Sequence, residues 1–264
     1  MTEPIPSRSM PAVAWSDVRK AYPDGHQALR GVSLEVAPGE FLAILGTSGS
    51  GKTTLLKMVN RLIEPTSGEV AVRGVPTSRW DPIALRRSIG YVIQEVGLMP
   101  HLDILANVGL VLRIQGKPRA AREAAARGRL ALVGLDPDRF ARLRPHQLSG
   151  GQRQRVGVAR ALAADPDLIL MDEPFGALDP ITRRELQDEF RRLQHRLGKT
   201  VIFVTHDIRE ACRIADQMAL VDGGRLIQSG NAADFIERPA DAFVRSFFQE
   251  AEAVIAAGDE GSRA

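Results

Sequence analysis

The stretch Gly46-Thr47-Ser48-Gly49-Ser50-Gly51-Lys52-Thr53 leaves this chain few choices of fold. It follows an apolar run, Phe41 to Leu45, that reads as a buried strand. It precedes Thr54-Leu55-Leu56-Lys57-Met58-Val59, whose apolar spacing is helical. A strand, a loop of the form Gly-x4-Gly-Lys-Thr and a helix together make a phosphate cradle. The glycines admit backbone angles that other residues resist, so successive N–H groups can point inward at an anion. The helix start adds its positive dipole end to the same spot. In such a cradle Lys52 reaches the β- and γ-phosphates, and the Thr53 hydroxyl ligates Mg²⁺. A Gly/Ser-rich turn that merely held a lysine would lack the flanking strand and helix.

At 264 residues the chain suits one large domain, or a core with an inserted subdomain. Net charge is only +3 and the two signs are interspersed, so no nucleic-acid surface is read from it. The single cysteine, Cys212, excludes a disulfide within the chain and reads as a small buried hydrophobe on a helix. No apolar stretch is long enough to span a bilayer, and residues 1–10 read as a loose tail without the pattern of a signal peptide. Any membrane role is therefore expected to come through a partner.

Along the chain, Val13 to Val18 and Ala28 to Val36 read as strands, joined through the turn signal Pro23-Asp24-Gly25. Tyr22 lies in that connection, where an aromatic ring can stack on a flat base. Glu69 to Arg73 and the apolar Ile89 to Ile93 are further strands, the latter ending at Gln94. From Glu95 the buried-strand signature stops and Ala/Arg-rich helix takes over, which marks an inserted helical piece. Ser149 is placed as the N-cap of a helix whose first turn holds Gly150 and Gly151. Glycine there costs about 1 kcal/mol each against alanine, so these two need a separate reason.

Leu168 to Glu173 is a continuous apolar strand that ends in two acids, and a carboxylate at the end of a buried strand is expensive without a partner. Asp172 can hold Mg²⁺ through water and Glu173 can polarise an attacking water. Pro180 to Leu197 reads as an amphipathic helix stopped by Gly198. Thr200 to Thr205 is the next buried strand, and His206 at its end can contact a γ-phosphate. A terminal hairpin is expected around Asp222-Gly223. In an open α/β sheet, ligands bind at the carboxyl edge of the strands. Four strands thus deliver Gly46, Gln94, Asp172 with Glu173, and His206 to one rim.

With Leu148-Ser149-Gly150-Gly151-Gln152 beside the phosphate loop, residues 11–240 resemble the ATP-binding subunit of an ABC importer. The resemblance implies a P-loop NTPase (RecA-like) α/β core over 11–94 and 158–240. It also implies an antiparallel β subdomain, an inserted α-helical subdomain over 95–157 carrying the signature, and a C-terminal helix and tail over 241–264. It implies that Tyr22 stacks on adenine, and that Gly46 to Thr54 with Gln94 hold ATP. Thr53, Gln94 and Asp172 would serve Mg²⁺, Glu173 would be the general base, and His206 the γ-phosphate contact. Two cassettes, identical or paralogous, would close head to tail, so that Ser149, Gly150, Gly151, Gln152 and Asp179 of one copy meet the nucleotide of the other. The loop Ala177-Leu178-Asp179 would cross the dimer.

The partners implied are transmembrane permease subunits and, indirectly, a solute-binding protein. The implied location is peripheral, on the cytoplasmic face of the inner membrane. Lys57 to Pro65, Ile89 to Gln94 and Glu95 to His101 further resemble the cassettes of osmoprotectant importers for glycine betaine, carnitine and choline. The segment Glu95 to Asn107 is the expected seat for a permease helix. Too few residues follow position 240 for the sensing domains that many such cassettes carry. A soluble ABC ATPase acting on nucleic acid usually fuses two cassettes or carries a long coiled-coil insert, and neither occurs here. A GTPase would need an Asn-Lys-x-Asp or Thr-Lys-x-Asp motif, which is also missing.

Overall fold

The computed structural model describes residues 10–94, 96–176 and 178–249. The chain runs β1 (Val13–Ala21), β2 (Gln27–Val36), β3 (Phe41–Leu45), α1 (Lys52–Val59), β4 (Ser67–Val72) and β5 (Val75–Pro76). Next come α2 (Pro82–Ser88), β6 (Ile89–Val92), α3 (Ile104–Val108), α4 (Leu110–Ile114), α5 (Arg119–Leu132), α6 (Pro137–Phe140) and α7 (Gly150–Ala161). The last part is β7 (Leu168–Asp172), α8 (Pro180–Leu197), β8 (Thr200–Val204), α9 (Ile208–Ile214), β9 (Gln217–Asp222), β10 (Arg225–Gly230) and α10 (Ala232–Glu237), followed by a helix over 242–249.

Two sheets organise these elements. One is antiparallel, in the order β2-β1-β4-β5. The other runs β10-β9-β3-β8-β7-β6, with β3, β6, β7, β8 and β9 parallel and β10 turned back on β9. Its central strands are buried on both faces, as continuous apolar runs require. Successive side chains alternate, so each strand feeds two cores. Phe41, Ala43, Leu45, Ile169, Met171, Val201 and Phe203 pack on one side with the helical insert. Leu42, Ile44, Leu168, Leu170, Ile202 and Val204 pack on the other with α1 and the antiparallel sheet. Trp15 ties that sheet to the core, donating from Nε1 to Leu55 O at 3.2 Å.

Local signals account for the boundaries. Asp179 caps α8, accepting from Thr182 N at 3.0 Å, and Gly198 ends it in the left-handed region at φ 61°. Ser149 and Gln152 form a reciprocal capping box at the start of α7. α7 runs without a break through residue 158, where the expected subdomain boundary lies. The strands expected over 89–93 and 200–205 end at Val92 and Val204. The strand expected over 168–173 ends at Asp172, and Glu173 turns away at φ 45°. Helix α2, begun by Asp81 accepting from Ala84 N at 2.7 Å, is an element the sequence expectations do not include. Cys212 is half-buried on α9, and burial pushes its thiol up to about 11. The expected tail over 1–9 and the segment 250–264 lie outside the described residues, as do Glu95 and Ala177.

Candidate phosphate site

The loop between β3 and α1 is shaped by what its glycines cannot carry. A Cβ on Gly46, at φ 149°, would sit 2.0 Å from Val221 O. One on Gly51, at φ 104°, would sit 2.5 Å from Ala28 O. A Cβ on Gly49 would meet nothing within 4 Å, because that position faces open space. Thr47 is pinned from outside by donating its hydroxyl to Asp222 Oδ1 at 3.0 Å. Among the described residues, the backbone N–H groups of Gly49, Gly51 and Lys52 meet no acceptor. The hydroxyl of Ser50, itself buried, has no partner either.

Lys52 curls back over this loop, donating from Nζ to Gly46 O at 2.9 Å and to Thr47 O at 2.7 Å. That leaves one of its three N–H bonds for a ligand. Burial lowers its pKa, while the charges of Glu173 and Asp172 pull it back up. An additional anion at this spot would relieve that burial cost. Beside it, Thr53 donates to Asp172 Oδ1 at 2.9 Å. Asp172 follows Met171 in strand alternation, so it points to the α1 side of the sheet, where Thr53 is found.

Glu173 stands at the join of three strand ends. Gln94 donates from Nε2 to Glu173 Oε2 at 3.0 Å, and His206 Nδ1 lies 3.5 Å from Glu173 Oε1. The positive φ of Glu173 is a strained conformation of the kind found where geometry serves a site. A cavity of about 620 Å³ is lined by Tyr22, Ser48, Gly49, Gly51, Lys52, Thr53, Thr54, Gln94, Glu173 and His206, together with His26 and Ala28. Gly46, Thr47 and Ser50 form the loop behind this lining, and Asp172 lies buried below. Ser149, Gly150, Gly151, Gln152 and Asp179 do not border this cavity. They sit at the starts of α7 and α8.

Several contributors escaped the sequence reading. His26 stacks with Tyr22, with ring centroids 6.3 Å apart and planes 13° apart, and Lys20 Nζ lies 5.2 Å from the Tyr22 ring. Lys57 Nζ approaches Asp172 Oδ2 at 3.8 Å. The signal for Lys57 was available: it lies four residues after Thr53, on the same helix face. Gly151 also gains a reason within its own chain, since a Cβ there would be 2.7 Å from Thr182 Cγ2 of α8.

The donor set fits a nucleotide triphosphate with its divalent cation. Unpartnered amides, a buried orphan hydroxyl and a free lysine N–H suit phosphate oxygens. Among the described residues no cluster of three or more His, Cys, Asp or Glu could cage a metal alone. A hydroxyl, an amide oxygen and one carboxylate suit Mg²⁺, which keeps waters and takes substrate phosphates as ligands.

Residues 29–176 match the family model described as ABC transporter. The chain is 51% identical over 231 residues to the choline transport ATP-binding protein OpuBA of Bacillus subtilis, covering 88% of this chain and 60% of that one. It is 47% identical over 240 residues to the glycine betaine uptake system ATP-binding protein YehX of Escherichia coli, covering 91% and 77%. The dimeric post-hydrolysis structure of the ATP-binding cassette MJ0796 bound to ADP and Pi is 38% identical, with a TM-score of 0.74 over 83% of this chain and 98% of that chain. The chain thus spans about 60% of the length of the choline relative. On this footing the chain belongs to the ABC transporter family, as one of its nucleotide-binding cassettes.

Proposed function

We propose that the chain binds and hydrolyses ATP to power an importer for a quaternary-amine osmoprotectant such as glycine betaine, carnitine or choline. The observation that carries the ATPase reading is the meeting of Gln94, Glu173 and His206 over a cradle whose amides and Lys52 await an anion. The solute class rests on the relatives named for choline and glycine betaine transport.

In this reading the loop amides and Lys52 hold the β- and γ-phosphates, while Tyr22 stacks on the base. Mg²⁺, held by Thr53, Gln94 and, through water, Asp172, would supply charge stabilisation for the transferring phosphoryl group. Glu173 accepts a proton from the attacking water as its oxygen bonds to the γ-phosphorus. The bond from that phosphorus to the bridging oxygen breaks, and ADP and phosphate leave. His206 orients the Glu173 carboxylate and reaches the γ-phosphate. Ser149 to Gln152 and Asp179 act on the nucleotide of a second cassette, and the segment Glu95 to Asn107 seats a permease helix. No helix among the described residues is long and apolar enough to cross a membrane.

The test is ATP turnover by the purified chain, followed by reconstitution with the permease and uptake of labelled glycine betaine, carnitine or choline. Absence of ATP turnover in both settings would refute the enzyme reading. Turnover stimulated only by another solute would refute the substrate class alone.

A further inference from the structure

Two residues downstream of Gln94, the backbone does something expensive. Val96 stands at φ 57°, in the left-handed region. For a β-branched residue this is a genuine outlier, because its side chain crowds the following carbonyl. Such a conformation persists only where the surroundings over-determine it. Here one face of α7 supplies them.

Arg160 donates from one guanidinium nitrogen to Gly97 O at 2.6 Å and from the other to Val96 O. One turn earlier, Gly157 leaves the space that the valine side chain fills, since a Cβ on Gly157 would lie 2.5 Å from Val96 Cγ1. A third tie closes the turn from the other end, with Val96 N donating to Ile93 O at 2.9 Å. The planar fork of arginine suits two adjacent carbonyls, which a lysine would meet with a single point charge. Burial lowers the pKa of Arg160, the cost of placing a guanidinium among backbone carbonyls.

We propose that Arg160 and Gly157 are positioning residues for Gln94. They hold Val96 left-handed and so keep the Gln94 amide against Glu173. The link runs from Arg160 through the carbonyls of Val96 and Gly97 to Ile93, whose carbonyl accepts from Val96 N and which directly precedes Gln94. The same helix begins at Gly150, about 15 Å from Arg160 at 1.5 Å per residue, and carries Ser149 to Gln152 at its tip. A displacement of that tip is therefore delivered to the Gln94 turn through one rigid rod. The inference rests on the ATPase reading for its kinetic arm, but the geometry it asserts can be read without any chemistry.

The experiment uses the full chain with four variants: Arg160→Met, Arg160→Lys, Gly157→Ala, and Arg160→Met combined with Val96→Gly. Hydrogen exchange is followed across residues 93–97 without nucleotide, and ATP turnover is measured against Mg²⁺ concentration. Arg160→Met is expected to lower protection of the turn at least tenfold. It is also expected to raise the Mg²⁺ concentration for half-maximal turnover at least threefold, with nucleotide affinity unchanged because Lys52 and its loop are intact. Arg160→Lys should fall between, and Gly157→Ala should resemble Arg160→Met. The double variant is the decisive arm, since glycine adopts the left-handed region without help. It should recover most of the lost protection and Mg²⁺ response.

A role limited to satisfying a buried charge predicts no recovery, and that result would overturn the proposal. So would unchanged protection in both Arg160→Met and Gly157→Ala. Should Arg160→Met not fold, Gly157→Ala against Gly157→Ala with Val96→Gly gives the same comparison. Loss of turnover in the wild-type chain, with protection responding as expected, would refute the ATPase reading and leave the positioning role standing.

Discussion

Gln94 and Glu173 are 79 residues apart in sequence and 3.0 Å apart in space, with the amide nitrogen donating to Oε2. The amide therefore holds one carboxylate oxygen, while the other faces His206. A general base contributes typically 10² to 10⁴ in rate. Glu173→Gln is expected to lower ATP turnover by about two orders of magnitude or more while leaving nucleotide affinity within about threefold. Light scattering with saturating ATP should then find a trapped dimer. Turnover at the wild-type rate would remove Glu173 from its role.

The phosphate loop offers a comparison between two glycines. Gly46→Ala forces a Cβ to within 2.0 Å of the Val221 carbonyl oxygen, a backbone atom that cannot step aside. Overpacking and left-handed strain together make a loss of about 3 kcal/mol or more the expected result. Gly49→Ala meets nothing within 4 Å and faces only the intrinsic left-handed cost of about 1–2 kcal/mol. It should fold but bind ATP more weakly, because its methyl group enters the phosphate space. Equal melting temperatures for the two variants would contradict this reading of the loop.

Asp172 accepts from Thr53 and lies 3.8 Å from Lys57. Asp172→Asn should keep the fold and bind ATP, because the cradle amides remain. The Mg²⁺ concentration needed for half-maximal turnover should rise about tenfold, in line with loss of one outer ligand contact. Chelation by EDTA should abolish turnover in both proteins. An unchanged Mg²⁺ response in Asp172→Asn would exclude Asp172 from the metal site.

Glu210 makes stability depend on pH. It is buried behind the strand end that carries His206, and accepts from Gln187 Nε2 at 3.0 Å and from the Thr205 hydroxyl. Burial raises its pKa above 4.5, against the two hydrogen bonds that lower it. The folded chain therefore binds this proton more tightly than the unfolded chain does. The stability this gives is complete below 4.5 and is lost as pH rises through the folded value. Glu210→Gln has no such pH-dependent contribution. The melting temperature of Glu210→Gln minus that of wild type should climb as pH is raised from 4.5. A difference that stays flat or falls would show that burial does not raise the pKa of this carboxyl on folding.

Much of this molecule could be read from short stretches of sequence, because the forces concerned act over about four residues. Helical spacing and capping geometry are both local, so α8 runs from Pro180 to Leu197 as its Asp179 cap and Gly198 stop require. The phosphate loop, the apolar runs of β3 and β8 and the Ser149 cap of α7 are legible for the same reason. Even there the reading was incomplete. The Asp81-Pro82 start of α2 is a local signal outside the sequence expectations, and the strand expected to reach Glu173 ends one residue earlier.

Which strands become neighbours is another matter, and so is which side chains meet. β3 lies between β8 and β9, strands formed more than 150 residues later, in an order that buries both faces of each apolar run. From it follow the contact of Thr53 with Asp172, the Gln94 amide on Glu173, and the fit of Gly151 against Thr182. The sequence alone thus determined the cradle and the chemical types brought to its rim. Only the tertiary structure decided their partners, because pairing between distant segments is selected by close packing of the whole core and not by any local preference.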